Sequence, residues 1–184
     1  MKAVRIHEFG GPEVMQYEEV PTPTPGAGQV LVKLAASGLN FIDVYQRTGL
    51  YPNDLPYGLG LEGSGTVAAV GSEVSGLGEG DPVAYTGVPG SYAEYVLAPA
   101  TSLVRMPDGL DVKVGAAAML QGMTAHYLAY TTYPLKAGDT CLIHAAAGGV
   151  GLILVQMAKQ CGARVIGTVS TEEKAALARD AGAD

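Results

Sequence analysis

The sequence predicts an α/β protein: a strand-rich N-terminal domain followed by the first part of a doubly wound, dinucleotide-binding domain. Two observations carry this prediction. Apolar and polar residues alternate in short runs through residues 1–100, as in half-buried strands. After residue 138 the order becomes strand, glycine turn, helix, strand, helix, which opens a doubly wound sheet. We therefore divide the chain into residues 1–122 and 123–184.

The N-terminal domain is predicted to consist of a series of strands. Runs 2–9 and 15–20 alternate and flank Gly-Gly-Pro, which predicts a hairpin. A proline-rich connector over 21–26 leads to a strand over 29–36. Three later runs also predict strands: 61–70, 81–85 and 92–97.

Two helical stretches are predicted among and after these strands. Asn40 suits an N-cap, a helix follows over 41–48, and Gly49 suits its end. An alanine-rich stretch over 110–130 predicts one or two helices, which lead into the second domain.

A glycine-rich turn in the second domain predicts a phosphate site. A predicted strand over 140–146 precedes the four residues that open a helix: Gly148, Gly149, Val150 and Gly151. The spacing Ala145-x-x-Gly148-x-x-Gly151 is a variant of the dinucleotide fingerprint, with alanine at the first position. Glycines let the backbone approach a ligand, and the helix start offers unpaired N–H groups to a diphosphate.

The next strand, predicted over 163–169, indicates which dinucleotide binds. An NAD site carries an acidic residue here, which binds the ribose 2′-hydroxyl. This chain instead has Ser170, Thr171 and Lys174, at the start of a helix predicted over 171–181. Hydroxyls and an ammonium suit a 2′-phosphate, which a carboxylate would repel. We therefore expect NADPH as the cofactor.

Both features also have plainer interpretations. The glycine run is compatible with a structural turn that binds nothing. Ser170 with Glu173 matches a capping box, in which Ser170 caps the helix and Lys174 is an ordinary solvated lysine. A cap residue can also face a ligand, so the two interpretations of Ser170 are compatible.

Composition excludes several classes of protein. Hydrophobic residues make up 48% of the chain and charged residues 16%, as in globular proteins. The net charge of −7 disfavours nucleic acid and anionic membranes as partners. No signal-peptide pattern follows Met1, and the most apolar run, 150–158, is too short to span a bilayer. Cys141 and Cys161 suit free thiols in a reducing compartment, so we expect a cytoplasmic protein.

The second domain is expected to be incomplete. A doubly wound dinucleotide domain has about six strands, and the chain supplies two candidates after residue 138. Two parallel strands cannot cover both faces of their own sheet. We therefore expect the chain to be a truncated form of a longer protein.

Eight segments together resemble a known family. They are residues 9–14, 38–45, 47–52, 59–67, 80–85, 90–95, 120–125 and 144–151. In this order they resemble the zinc-independent, zeta-crystallin-like quinone oxidoreductases of the medium-chain dehydrogenase/reductase superfamily. The resemblance implies a GroES-like substrate domain, a Rossmann domain that binds NADPH, and a homodimer for the full-length protein.

The resemblance also implies site residues. Asn40, Tyr45 and Tyr51 are the candidate catalytic residues. Besides the glycine run and the 170–174 segment, the implied cofactor contacts are Asn40, Phe41, Ile42, Asp43, Thr124 and Tyr127. Each has a structural alternative: a helix cap for Asn40, core or cleft packing for the tyrosines, and a buried helix face for Thr124 and Tyr127.

The segments that hold zinc in related alcohol dehydrogenases lack ligands here. Asn40-Phe41 stands where those enzymes have Cys-His, and Gly60-Leu61-Glu62 stands where they have Gly-His-Glu. No cysteine lies in 90–99, the place of their structural zinc lobe. A catalytic zinc needs three donor side chains, so we expect no metal. Asp43 and Glu62 are interpreted as structural hydrogen-bond partners rather than acid/base catalysts.

Without a Lewis acid, a conjugated acceptor is easier to reduce than a plain carbonyl, because conjugation delocalises the developing charge. The predicted activity is therefore NADPH-dependent hydride transfer to quinones or other α,β-unsaturated carbonyl compounds. The alternative is a crystallin-like protein that binds NADPH or RNA with little turnover. We expect the 184-residue chain alone to be inactive or nearly so.

Overall fold

The computed structural model describes residues 1–184, and the chain divides into two units, Met1–Met119 and Leu120–Asp184. The first unit contains antiparallel strands with short helices. The second contains a parallel pair of strands with helices between and after them. The predicted α/β class is confirmed.

The first unit is built on eight strands. They are β1 (Lys2–Ile6), β2 (Met15–Glu19), β3 (Gln29–Gly38), β4 (Tyr57–Gly58), β5 (Glu62–Val70), β6 (Pro82–Thr86), β7 (Tyr95–Pro99) and β8 (Leu103–Arg105). β2, β1 and β4 form one antiparallel sheet in that order, and the predicted hairpin at the N-terminus is confirmed. The other five form a second sheet in the order β7-β3-β5-β6-β8.

The larger sheet carries the core of the first unit. Its central strands place Val30, Val32, Val83 and Tyr85 out of contact with solvent. Burial of such side chains stabilises the sheet by about 1.5–3 kcal/mol each. The sheet holds β5 as its central strand, and the helix α1 (Phe41–Thr48) follows β3.

Some predicted strands have different limits in the structure. The strand predicted over 92–97 is β7, Tyr95–Pro99. The chain before it leaves the larger sheet and pairs with β1, since the Val4 N–H donates to the Tyr92 carbonyl at 2.8 Å. The two- and three-residue strands β4 and β8 were not predicted, because such short runs show no periodicity.

The helical stretch predicted over 110–130 is a single α-helix, α2 (Val112–Tyr127), with a π-helical turn after it (Leu128–Thr132). The boundary between the two units lies within α2.

The second unit contains the predicted strand–turn–helix–strand–helix series. Its elements are β9 (Thr140–Ile143), α3 (Gly149–Gln160), β10 (Arg164–Gly167) and α4 (Glu172–Asp180). β9 and β10 are parallel, with Thr140 opposite Arg164. Ile143, Val155 and Val165 form the centre of its buried cluster. β9 ends three residues earlier than predicted, because Ala145 has a left-handed φ of 51° and turns the chain.

Candidate functional site

Asn40 lies at the N-terminus of α1 and is held by several hydrogen bonds. Its backbone N–H donates to Oδ2 of Asp43 at 2.9 Å, one part of a capping box. Its side-chain Nδ2 donates to Oε2 of Glu62 on β5 at 2.8 Å. Asn40, Asp43 and Glu62 are 6%, 5% and 0% exposed. The predicted helix limits and the cap are therefore confirmed, and Gly49 ends the helix with a φ of 81°.

Tyr92 also joins the hydrogen-bonded residues Asn40, Asp43 and Glu62. Its hydroxyl donates to the same Asp43 oxygen, Oδ2, at 2.7 Å. Burial, and after it the contact with the Asp43 carboxylate, raises the pKa of the Tyr92 hydroxyl above its ordinary value. Burial also raises the pKa of Tyr57, with the Asp43 charge as the second cause. Asp43 and Glu62 thus accept hydrogen bonds within the protein, and their interpretation as structural partners rather than acid/base catalysts stays a prediction.

Three aromatic side chains form a cluster on α1 and the loop after it, in which Tyr45 is half-buried and the other two are exposed. Phe41 packs edge-on against Tyr45, and Tyr45 against Tyr51, each at 5.3 Å between ring centroids. Phe41 is 70% exposed and Tyr51 51% exposed. The cluster offers ring faces to a planar ligand and hydroxyl groups that can donate hydrogen bonds. Ile42, in the same helical turn, is half-buried.

The glycine turn in the second unit has the form that a diphosphate requires. Gly148 caps α3 without a side-chain hydrogen bond, so the first N–H groups of the helix have no capping acceptor from a side chain. A Cβ on Gly151 would collide with the carbonyl oxygen of Ala145 and approach Cα of Ala146 to 2.8 Å. The close approach of helix and turn therefore requires glycine at position 151.

The neighbouring position is also crowded. A Cβ on Gly149 would lie 2.7 Å from Nε2 of Gln121. Val150 is half-buried, and its backbone N–H lies in the first turn of α3, where it can donate to an anion.

A cavity of about 380 Å³ opens beside this turn. Its lining residues are Ala145, Ala147, Gly148, Thr168, Val169, Ser170 and Lys174. Nζ of Lys174 donates to Oγ of Ser170 at 3.2 Å and makes no ion pair with a carboxylate. No acidic side chain lines the cavity. The structure thus brings the glycine turn, Ser170 and Lys174 to one place, and their chemistry fits a phosphorylated nucleotide.

The capping interpretation of Ser170 is wrong. Thr171 is the N-cap of α4, and its Oγ1 accepts from the Lys174 N–H at 3.2 Å. Ser170 therefore lies one residue outside the helix, where its hydroxyl contacts the Lys174 ammonium instead. This leaves both groups on the cavity wall.

Thr124 and Tyr127 lie on the last turns of α2. The Thr124 hydroxyl donates to the carbonyl of Leu120 at 2.7 Å, a bond within its own helix. Tyr127 is 49% exposed. The π-helical turn that follows directly could not be foreseen from the sequence.

Prediction from the sequence missed two functional candidates, Tyr92 and Thr168. Tyr92 belongs to a segment that carries the family resemblance, which was the available signal. Thr168 supports the glycine turn: its Oγ1 lies 3.0 Å from Nδ1 of His144 and 3.4 Å from the Ala145 N–H. No sequence signal marked this side chain.

No group of three or more His, Cys, Asp or Glu side chains is arranged to hold a metal ion. None of the helices is both long and apolar enough to cross a bilayer. Both cysteines are free thiols.

Comparison with known proteins gives two family matches. Residues 26–108 match the alcohol dehydrogenase GroES-like domain, and residues 149–184 match the zinc-binding dehydrogenase family. These matches correspond to the strand-rich part and to the start of the nucleotide-binding part.

Individual relatives agree with this division. A quinone oxidoreductase of Pseudomonas aeruginosa is 52% identical over 184 residues, which is 99% of this chain and 57% of the relative. A 2-haloacrylate reductase of Burkholderia is 45% identical over 98% of this chain and 56% of its own length. The crystal structure of Escherichia coli quinone oxidoreductase complexed with NADPH is 43% identical, with a TM-score of 0.97 over all of this chain and 57% of that one.

The chain thus spans a little over half the length of the relatives it matches. The predicted fold class, a GroES-like domain with the start of a Rossmann domain, is confirmed by the two family matches and the structural likeness. The chain belongs to the quinone oxidoreductase family of the medium-chain dehydrogenase/reductase superfamily.

Proposed function

We propose that the protein is an NADPH-dependent reductase of quinones or other α,β-unsaturated carbonyl compounds, and that it works without zinc. The observation that carries the proposal is the cavity beside the glycine turn, where Ser170 and Lys174 face the space and no carboxylate does. NADPH, when bound, supplies the hydride for the reduction.

The residues of the second unit hold the phosphates of the nucleotide. The diphosphate lies against the backbone of Gly148, Gly149, Val150 and Gly151. The 2′-phosphate is bound by Ser170, Thr171 and Lys174, where an ammonium and two hydroxyls supply charge-assisted hydrogen bonds. The proposed contacts with the rest of the cofactor are Asn40, Phe41, Ile42, Asp43, Thr124 and Tyr127.

The acceptor is bound by the aromatic cluster. Tyr45 and Tyr51 present ring faces to a planar molecule, and their hydroxyls donate hydrogen bonds to its oxygen as charge develops there. The names of two relatives, quinone oxidoreductase and 2-haloacrylate reductase, both refer to conjugated acceptors and support this substrate class. Independence from zinc is supported by Asn40, Phe41 and Leu61, none of which is a usual zinc ligand.

The cofactor assignment is tested by charge reversal. Lys174→Glu should weaken NADPH binding about 10- to 100-fold, because a charged hydrogen bond to the phosphate is replaced by repulsion. NADH affinity should change less than about twofold, since NADH lacks the phosphate. Lys136→Glu, at an exposed lysine of the same unit, is the matched control. Equal effects of Lys174→Glu on both cofactors in calorimetric titrations would contradict the assignment.

The activity is tested on the complete gene product by following NADPH absorbance with a panel of quinones, enals and haloacrylates. We expect turnover that survives dialysis against a metal chelator. Absence of NADPH oxidation with every acceptor would reject the proposed reaction, and loss of activity restored by zinc would reject its zinc independence.

The proposal extends to the state of the complete gene product. We propose a homodimer, which light scattering tests directly. The two free thiols favour a reducing compartment, and we propose the cytoplasm. The net charge of −7 disfavours RNA as a partner. The RNA-binding alternative predicts that the protein shifts RNA in a gel at physiological salt, and we expect no such shift.

A further inference from the structure

We infer that Glu62 and Tyr92 are positioning residues of the proposed reaction, which hold Asn40 in place through two separate hydrogen-bonded branches. One branch is direct and the other passes through Asp43. The inference rests on the proposed function, in which Asn40, a candidate catalytic residue, contacts the cofactor.

The direct branch fixes the Asn40 side chain. Its Nδ2 donates to Oε2 of Glu62 at 2.8 Å, and Glu62 has no exposure to solvent. Rotation of the amide would break this bond in a place that water does not reach, which makes other rotamers costly. The amide therefore presents one defined face.

The fold makes room for the Glu62 carboxyl group through a glycine. Gly38 on β3 stands opposite Glu62 on β5. A Cβ on Gly38 would collide with Oε2 of Glu62 and lie 2.7 Å from its Cδ. The register of two neighbouring strands and the missing side chain together place the carboxyl group beside Asn40.

The indirect branch fixes the Asn40 backbone. Oδ2 of Asp43 accepts from the Asn40 N–H at 2.9 Å and from the Tyr92 hydroxyl at 2.7 Å. The other carboxylate oxygen, Oδ1, is buried without a hydrogen-bond partner. Orientation of the carboxylate therefore depends on Oδ2, and Tyr92 is one of its two donors.

Tyr92 is suited to this task. Its hydroxyl donates to Asp43 at 2.7 Å, and a tyrosine hydroxyl is protonated at neutral pH. Burial, followed by the interaction with Asp43, raises its pKa further. Tyr92 lies just before β7 and Glu62 on β5, so two segments distant in sequence converge on Asn40 and Asp43 at the start of one short helix.

The experiment uses the complete gene product with Tyr92→Phe, Asn40→Ala and the double variant. Tyr92→Phe should lower kcat about three- to tenfold, with the acceptor KM and the NADPH Kd within about twofold. In the Asn40→Ala background the same change should have little further effect, because Tyr92 acts through Asn40. Tyr17→Phe, at an exposed tyrosine of the same unit, should change nothing.

Glu62 is tested by comparing two substitutions. Glu62→Gln keeps an oxygen that accepts from Asn40 and should retain kcat within about threefold, whereas Glu62→Ala should lose about tenfold or more. A group that transferred a proton would instead fail equally in both variants. If Glu62→Ala does not fold, the comparison of Tyr92→Phe, Asn40→Ala and the double variant still tests the inference.

The outcomes separate the inference from the function on which it rests. Additive effects of Tyr92→Phe and Asn40→Ala, or a lower Tm with unchanged kcat for Tyr92→Phe, would overturn the inference in an active enzyme. An unmodified protein without turnover would overturn the proposed reaction, and the inference with it.

Discussion

Two helix N-termini of this chain are built in opposite ways. At the start of α1, the buried carboxylate of Asp43 accepts the N–H of the capping residue Asn40. At the start of α3, Gly148 supplies no side-chain cap, and the first turn contains no acidic residue. Both ends carry the same positive end of a helix dipole. The first is satisfied by the protein itself, and the second has no side-chain acceptor in the protein.

In the proposed function, this difference separates an element that positions residues from an element that binds the cofactor. A closed cap fixes the residues at a helix start, which suits the placing of Asn40 and the aromatic side chains after it. An open start with glycines allows the backbone of α3 to bind a diphosphate. The following predictions test whether the two ends differ in this way.

The largest effect on stability and cofactor binding is expected at the start of α3. Gly151→Ala should destabilise the fold by about 1–3 kcal/mol, because the new methyl group meets the backbone at Ala145 and Ala146. It should also weaken NADPH binding about tenfold or more, since the turn must shift. Urea unfolding and cofactor titration measure the two effects.

The control for this prediction is Gly122→Ala in α2, where an added Cβ meets nothing within 4 Å. It should stabilise the fold by up to about 1 kcal/mol, because alanine favours a helix interior. If Gly151→Ala were as stable as the unmodified protein and bound NADPH equally, the close approach would not be needed.

The cap at the start of α1 is tested by Asp43→Asn. The substitution removes the charge from an acceptor of two hydrogen bonds and should cost about 1–2 kcal/mol in the free energy of unfolding. Asp139→Asn is the matched control, since Asp139 accepts one backbone N–H in an exposed turn. A loss at position 43 no larger than at position 139 would show that burial adds nothing to the cap.

A smaller effect is expected from pH at the same cap. Burial raises the pKa of the Tyr92 hydroxyl above the ordinary value of 10.0, so the folded protein holds this proton more tightly than the unfolded chain. The resulting stabilisation is complete below about pH 10 and is lost as the pH rises toward the folded pKa. Unfolding measured from pH 8 to 11 should therefore show a shallower alkaline decline in Tyr92→Phe.

Tyr85 shares this behaviour, because burial raises its pKa as well. Part of the alkaline decline should therefore remain in Tyr92→Phe. An alkaline decline identical to that of the unmodified protein would show that Tyr92 ionises equally well in the folded state.

The smallest effect is expected for Ala145→Gly, in the turn before α3. Ala145 has a left-handed φ of 51°, and replacing it by glycine relieves about 1 kcal/mol of strain in the folded state. Glycine also makes the unfolded chain more flexible, which lowers the free energy of unfolding by about 0.4–1 kcal/mol and offsets most of that gain. Stability should change by less than about 0.5 kcal/mol. Ala147→Gly, at a residue without a positive φ, should only destabilise. A large loss at position 145 would mean that its methyl group is needed in the cavity.

Local features of the fold were predictable. α1 has the limits that Asn40 and Gly49 indicate, because a capping residue and a glycine end act within one or two helical turns. The series from β9 to α4 was predicted for the same reason, with limits that differ by a few residues. Ser170 was misinterpreted as a cap because Thr171 beside it is equally suited to that position.

The sequence by itself determined the ends of α1, the glycine turn and the absence of an acid at the end of β10, since each depends on residues that are neighbours in the chain. The tertiary structure alone decided that Glu62 and Tyr92 meet at Asn40 and Asp43, across 22 and 49 residues. Strand register and the space at Gly38 make those contacts. Such long-range placement depends on how the sheets pair, and no local pattern encodes it.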